Sequence, residues 1–198
     1  MGGTFIVFEG LDGSGLSTQA GMLRNWLQDK GVTAILTKEQ TDGIIGGIIK
    51  SSLKKEWKTD PLALQMLFVA DRANHLANEI EPALNNGNIV ICDRYVLSTL
   101  AFGGIKCDVE FLKMFNSRFR KPDMTFIIDT PPEVCLQRIG KARFETELFE
   151  EKEKFTKVRD NYLSLKYHFP NTFVINGNRS KEDVFKDVRK IIEERLRL

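Results

Sequence analysis

The chain is poor in the side chains that bind metals or form cross-links. It has three cysteines, Cys92, Cys107 and Cys135, far apart and odd in number, and two histidines, His75 and His168. No C-x-x-C pair occurs, and neither histidine has a second ligand type beside it in sequence. This argues against a zinc site and against a disulfide framework. Reduced thiols and a cytoplasmic location are expected. Long hydrophobic runs are also missing, so no segment is expected to span a bilayer. The first apolar run is short and carries Glu9, which argues against a signal peptide. Ile6 stands where a myristoylated Gly2 would require serine or threonine. Neither charge sign is in excess: Lys+Arg number 29 and Asp+Glu 27, a net of +2. That near balance argues against a nucleic-acid coat and against a polybasic membrane surface, so any anion site must be local. Repeats, low-complexity tracts and interdomain linkers are absent as well.

What remains is 198 residues, 42% hydrophobic and 28% charged, enough for a single domain over 1–198 with a full core. Its organising stretch is residues 5–19. Phe5 to Phe8 reads as a buried parallel strand. Gly10, Gly13 and Gly15 follow at once and can turn successive backbone N–H groups into one anion-binding concavity. Ser17 and Thr18 then open a helix whose free N–H groups add to that site. The spacing fits the phosphate-loop (P-loop) frame G-x-x-x-x-G-K-[ST], except that Leu16 stands in the lysine's place. Ser17 is either a magnesium ligand or only a helix cap, and Leu16 either leaves the loop working or marks one that has lost its function.

Beyond the loop, the periodicity predicts helices over residues 17–30, 44–53, 61 to 79 or 84, 109–119, 132–140 and 148–167. A further short helix closes at Gly103 and Gly104, and a final one is capped by Ser180 through Asp183. Short strands fall at 34–37, 89–92, 124–128 and 172–175. The polar segment 141–147 reads as a lid. Strands alternating with helices predict an α/β fold, a five-stranded parallel sheet covered on both faces. Two strand ends carry polar clusters where ligands of such sheets gather: Lys38 to Gly43, and Asp93-Arg94-Tyr95. The latter is either a magnesium and phosphate site or a surface ion pair. Phe68 and Arg72, four apart on one helical face, could stack on a base and bond its edge. From spacing alone they read better as a core phenylalanine beside a solvated arginine.

Taken together, residues 8–19 (FEGLDGSGLSTQ), 67–72 (LFVADR), 93–104 (DRYVLSTLAFGG) and 121–123 (KPD) resemble the thymidylate kinase (dTMP kinase) family over essentially the whole chain. The resemblance implies a P-loop nucleoside-monophosphate-kinase-like three-layer fold with a short lid, a homodimer, and transfer of the γ-phosphate of ATP to dTMP with Mg2+. No nucleic-acid or membrane partner is expected. It carries ATP binding to Gly10, Leu11, Asp12, Gly13, Ser14, Gly15, Leu16, Ser17 and Thr18, and the metal to Ser17 and Asp93. Phe68 looks like the ring that stacks on thymine and Arg72 the group on its edge, with Ser98 a further base contact. Arg94 looks like the clamp on the dTMP phosphate and Asp12 like the loop acid on the sugar side. Glu39 falls in the loop after the second strand, and Phe102 resembles the wall against a 2′-hydroxyl. Arg143 and Phe144 match the lid pair, so Asp12, Arg94 and Arg143 form the implied catalytic set.

The departures from the family pattern are Leu16 for the loop lysine, Gln40 for a proline, and Glu150 where some members have glutamine. A missing charge-stabilising cation is expected to cost ~3 kcal/mol. Lys38, Arg138, Lys141 or Arg143 could supply it. Two other functions stay open: a kinase for dUMP or a deoxynucleoside, and a nucleotide-binding protein with little catalysis.

Overall fold

Five parallel strands, β1 (Thr4–Gly10), β2 (Ala34–Lys38), β3 (Ile89–Asp93), β4 (Met124–Asp129) and β5 (Thr172–Asn176), lie in the order β2-β3-β1-β4-β5. The computed structural model describes residues 2–140 and 145–197. Period-2 alternation along β1 decides where the cores sit. Phe5 and Val7 join one buried cluster, with side chains such as Tyr95, Leu100 and Tyr162. Ile6 and Phe8 join the other, with Leu23, Leu27, Val188 and Ile192. The sheet is therefore apolar on both faces and must be covered on both.

One cover is α1 (Leu16–Asp29) with α9 (Lys181–Leu196). The other includes α3 (Pro61–His75), α5 (Val96–Gly103) and α8 (Glu145–Ser164), with α2 (Ile44–Leu53) packed on α3. Capping fixes several helix starts. The Asp60 carboxylate accepts from the Leu62 and Ala63 N–H groups at 2.8 and 3.2 Å, with Pro61 in the first turn. Ser180 accepts from Asp183 N–H at 3.1 Å, as its capping signature predicts.

Three helices differ from their predicted extents. The long helix from Pro61 does continue to Asn85, but through a π-helical stretch, Leu76–Ile80, before α4 (Glu81–Asn85). Pro82 lies just past this stretch and has no N–H to donate, and the wider turn absorbs that gap. The helix expected over 109–119 stops sooner, as α6 (Val109–Asn116), where the Asn116 side chain turns back to Leu112 O at 2.8 Å. After α7 (Pro132–Arg138), α8 already begins at Glu145. Residues 145–147 of the expected lid are thus helical, and 141–144 lie outside the described residues.

In-register pairing places the site. Phe8 pairs with both Asp93 and Phe126. The loop after β1 therefore emerges beside Asp93-Arg94, at the carboxyl edge of the sheet.

Candidate active site

At that edge a cleft of about 1430 Å³ runs from residues 11–19 to Phe68, Arg72, Phe102 and Cys107. Its inner end is the P-loop. Gly10, Gly13 and Gly15 have φ of 149°, 77° and 110°, values that side chains rarely adopt. A Cβ at Gly10 would lie 2.7 Å from Ile128 O, and one at Gly13 equally close to Cys135 O. Gly15 occupies the cap of α1, and no side chain caps it. Ser17 is accordingly not the helix cap. It sits in the first turn, where its hydroxyl donates to the Asp93 carboxylate. Leu16 is 5% exposed and packs with Ile6, Phe8 and Ala20. It fills the foot of the loop as an apolar plug.

Two cations named as substitutes for the lysine fall among the described residues. Arg138 reaches the loop, but through carbonyls, Gly13 O at 3.4 Å and Ser14 O at 3.3 Å, and it also bonds Gly177 O after β5 at 3.3 Å. Its guanidinium thus lies against the loop's acceptor groups, whereas phosphates bind to N–H donors. Lys38 pairs with Asp42 at 3.3 Å. Lys141 and Arg143 lie outside the described residues, as does Phe144.

Arg94 follows β3 directly. Its φ of 74° is unusual for a residue with a Cβ. The backbone is held there by its N–H to Phe8 O, 2.9 Å. Its guanidinium donates to Gly10 O at 2.8 Å, Ser98 Oγ at 3.2 Å, Tyr162 Oη at 3.3 Å and Asp12 Oδ1 at 2.8 Å. It lies over the Phe102 ring, 5.4 Å from the centroid. The side chain is 19% exposed, toward the cleft.

At the outer end Arg72 is not the solvated arginine that spacing alone suggests. Its side chain is 1% exposed. Nε and Nη2 both donate to Glu39 Oε2, at 2.9 and 2.6 Å, Nη2 also to Thr99 Oγ1 at 3.1 Å, and Nη1 to the Asn116 carbonyl. A guanidinium has five N–H donors. The bonds among the described residues leave one N–H on Nη1. Behind the pair, His75 bridges Thr37 Oγ1 at 2.8 Å and Glu39 Oε1 at 3.4 Å. The Glu39–Gln40 peptide, where the family's proline would follow Glu39, is cis. Phe68 and Phe102 are half-buried and line the same cleft.

Sequence reasoning missed the groups beneath Arg94. Glu9 is fully buried on β1. One carboxylate oxygen accepts from Tyr95 N–H at 3.0 Å, the other from the Ser98 hydroxyl and from Tyr162 Oη at 3.4 Å. Ser98, expected at the base, spends its hydroxyl on this carboxylate. Burial pushes the Glu9 carboxyl up to about 7, against the opposing pull of Ser98, Arg94 and Arg72. A charged residue in an otherwise apolar strand was the one available signal. Tyr162, Thr99 and Asn116 gave none.

The donor set fits a magnesium ion. The Ser17 hydroxyl and the Asp93 carboxylate are hard oxygen ligands already in contact. With two protein donors, most of an octahedron is left to phosphate oxygens and water, as magnesium prefers. Among the described residues no group of three or more His, Cys, Asp or Glu could hold a metal by itself.

A parallel β2-β3-β1-β4-β5 sheet, a glycine loop opening α1, and a facing guanidinium define a P-loop phosphotransferase of the nucleoside monophosphate kinase type. The family model described as "Thymidylate kinase" matches residues 8–188. The chain is 39% identical over 202 residues to a "Probable thymidylate kinase" of Pyrococcus horikoshii, covering 99% of this chain and 98% of that protein. It is 38% identical over 204 residues to the "Thymidylate kinase" of Caldicellulosiruptor saccharolyticus, covering 100% and 99%. The crystal structure of thymidylate kinase from Ehrlichia chaffeensis superposes with a TM-score of 0.79 at 29% identity, covering 97% of this chain and 100% of that one. The chain belongs to the thymidylate kinase family.

Proposed function

We propose that the protein transfers the γ-phosphoryl group of ATP to dTMP, giving ADP and dTDP. The observation that carries this is the single cleft with a phosphate-binding nest at one end, Arg94 in the middle, and Phe68 with a partly uncommitted Arg72 at the other. The N–H groups of residues 10–18 cradle the ATP phosphates. Arg94 turns from Asp12 toward the acceptor phosphate and sets it in line. Phe68 stacks on the base, and the remaining Arg72 N–H donates to an acceptor on its edge. Glu39 and Thr99 hold that arginine rigid. Phe102 walls the sugar, and Ser98 acts through Arg94. Ser17 and Asp93 would hold Mg2+, whose charge offsets that on the transferring group. No general base is required, because the attacking phosphate oxygen is already ionised. Arg143 and Phe144 belong to this proposal by resemblance alone.

A cytoplasmic homodimer belongs to the same proposal. Apolar side chains left on the surface of α2 and α6, among them Ile44, Met114 and Phe115, support the dimer. Sedimentation tests it.

A coupled assay with ATP, Mg2+ and each monophosphate in turn decides the acceptor. Turnover with dTMP well above that with dUMP, and none with thymidine, is the expected result. Equal or better turnover with dUMP or a nucleoside would overturn the assignment. Leu16 favours a second reading, a nucleotide binder with little catalysis. Its mark would be ATP and dTMP binding without turnover.

The cleft also makes a separate prediction. Among the described residues, eleven of its lining side chains are Lys or Arg and three are Asp or Glu, in a chain of net charge +2. Such a focused positive field should draw in both anionic nucleotides. KM for dTMP is expected to rise several-fold as added KCl shortens the screening length from about 10 Å at 0.1 M to about 3 Å at 1 M. Titration of initial rates against KCl checks it, with sulfate-free buffers to avoid competition.

A further inference from the structure

Glu9 is a buried carboxyl that the transfer reaction does not use. It lies one hydroxyl away from Arg94. Ser98 bonds both, and so does Tyr162, whose hydroxyl is 2.8 Å from Ser98 Oγ. With the cleft free of substrate, Arg94 is balanced by Asp12 at 2.8 Å, by the neighbouring Asp93 and, through the hydroxyls, by Glu9. A phosphate dianion seated on Arg94 adds two negative charges to a cluster whose inner half, Glu9 with Tyr162, is buried. Such a surplus of charge is unfavourable where burial limits its screening. The cluster can shed it by protonating a carboxylate, as paired acids do.

The phenols, the thiol and the guanidiniums that face Glu9 offer no alternative. Tyr95 and Tyr162 are held far above the ordinary phenol range by burial, and the Cys92 thiol on β3 is likewise raised by burial. All three are therefore neutral near pH 7. Arg94 and Arg72, the cations that face Glu9 from the turn after β3 and from α3, keep their charge as guanidiniums. Asp12 faces the cleft from the P-loop and meets Glu9 only through Arg94.

We propose that the acceptor phosphate and a proton bind together, the proton going to Glu9 as the phosphate seats on Arg94. Glu9 is thus a positioning residue that lets one partly buried arginine exchange its protein counter-charges for a phosphate. The inference rests on the assignment of Arg94 to the acceptor phosphate. The balance is simple: one H+ passes from solvent to Glu9 Oε, no bond to substrate forms, and the proton leaves with the product. Burial raises the Glu9 carboxyl to about 7, which places its proton exchange in the neutral range. Binding should therefore take up a fraction of a proton at neutral pH, and more as the pH rises to about 8.

Calorimetric titration of the whole protein with dTMP, in two buffers of different ionisation enthalpy, counts these protons. The wild type is expected to take them up with dTMP but not with thymidine, which brings no phosphate. Glu9→Gln keeps the shape of the carboxyl, and its uptake should vanish, leaving only the small contribution of dTMP itself. Ser98→Ala removes the donor that most favours the ionised form, so its maximal uptake should move to higher pH. That displacement would not follow from a merely structural role, and it keeps the test open should Glu9→Gln fail to fold. Equal proton counts in the wild type and Glu9→Gln, or a Ser98→Ala profile that does not move, overturn this inference alone. Failure of the wild type to bind dTMP overturns the acceptor assignment and this inference with it.

Discussion

Arg94→Ala should lower kcat/KM for dTMP by ~10²–10³, the usual loss for one charge-stabilising donor at a reacting centre, with the Kd for ATP changed less than about threefold. The asymmetry follows from what the guanidinium touches. It does not line the nest that would hold ATP. It braces the nest from outside through Gly10 O, and its remaining bonds go to Asp12, Ser98 and Tyr162. Alanine keeps the backbone at its strained φ of 74° with the N–H bond to Phe8 O, so the loop path should survive. What is lost is one of the cations that line the cleft, the one in its middle, and Asp12 is left without its partner at 2.8 Å. An unpaired Asp12 would then repel the incoming phosphate, which adds to the loss. Lysine at 94 should recover only part of it, because an ammonium cannot bond four acceptors in the guanidinium's plane. Separate measurement of KM for each nucleotide checks the prediction. Equal losses for ATP and dTMP would remove Arg94 from the acceptor role.

The sheet, its crossovers and the loop glycines were legible because each is set by local signals: apolar runs, glycine spacing and capping residues. What escaped depends on partners distant in the chain. Arg72 reads as solvated until Glu39, Thr99 and Asn116 close on it from three other elements. That burial is tolerable because the charge is paired and nearly every donor is bonded. Asn116 ends α6 for the same reason, since its carbonyl serves Arg72 while its amide returns to Leu112 O. Glu9 could be noticed in a strand but not interpreted, since its partners lie at positions 95, 98 and 162. The π-helical stretch before Pro82 had a cause visible in sequence, yet the proline only limits the helix and does not specify a wider turn.

Leu16→Lys should raise kcat for phosphoryl transfer by ~10², at the lower end of what one charge-stabilising group supplies, while lowering the melting temperature. Both signs come from the same side chain. Leu16 is 5% exposed among Ile6, Phe8 and Ala20, and its Cδ2 is 3.4 Å from where a Gly10 Cβ would sit. A lysine stem can occupy the same foot of the loop and carry its ammonium out toward the cleft, as long amphipathic side chains do. Exchanging leucine packing for that stem should cost about 1–2 kcal/mol of stability. The gain requires that nothing else already stands at the transferring phosphoryl group. Arg138 is bonded to the loop's carbonyls, and Lys38 is paired with Asp42. Among the described residues, then, neither substitute named for the lysine faces the loop's N–H groups. Single-turnover rates of the variant, measured beside its thermal melt, separate the possibilities. Faster transfer with a lower melting point fits an open place for the cation. Unchanged or slower transfer would mean that another cation, Lys141 or Arg143 foremost, already fills it. Leucine would then be a fitted part of a rearranged site.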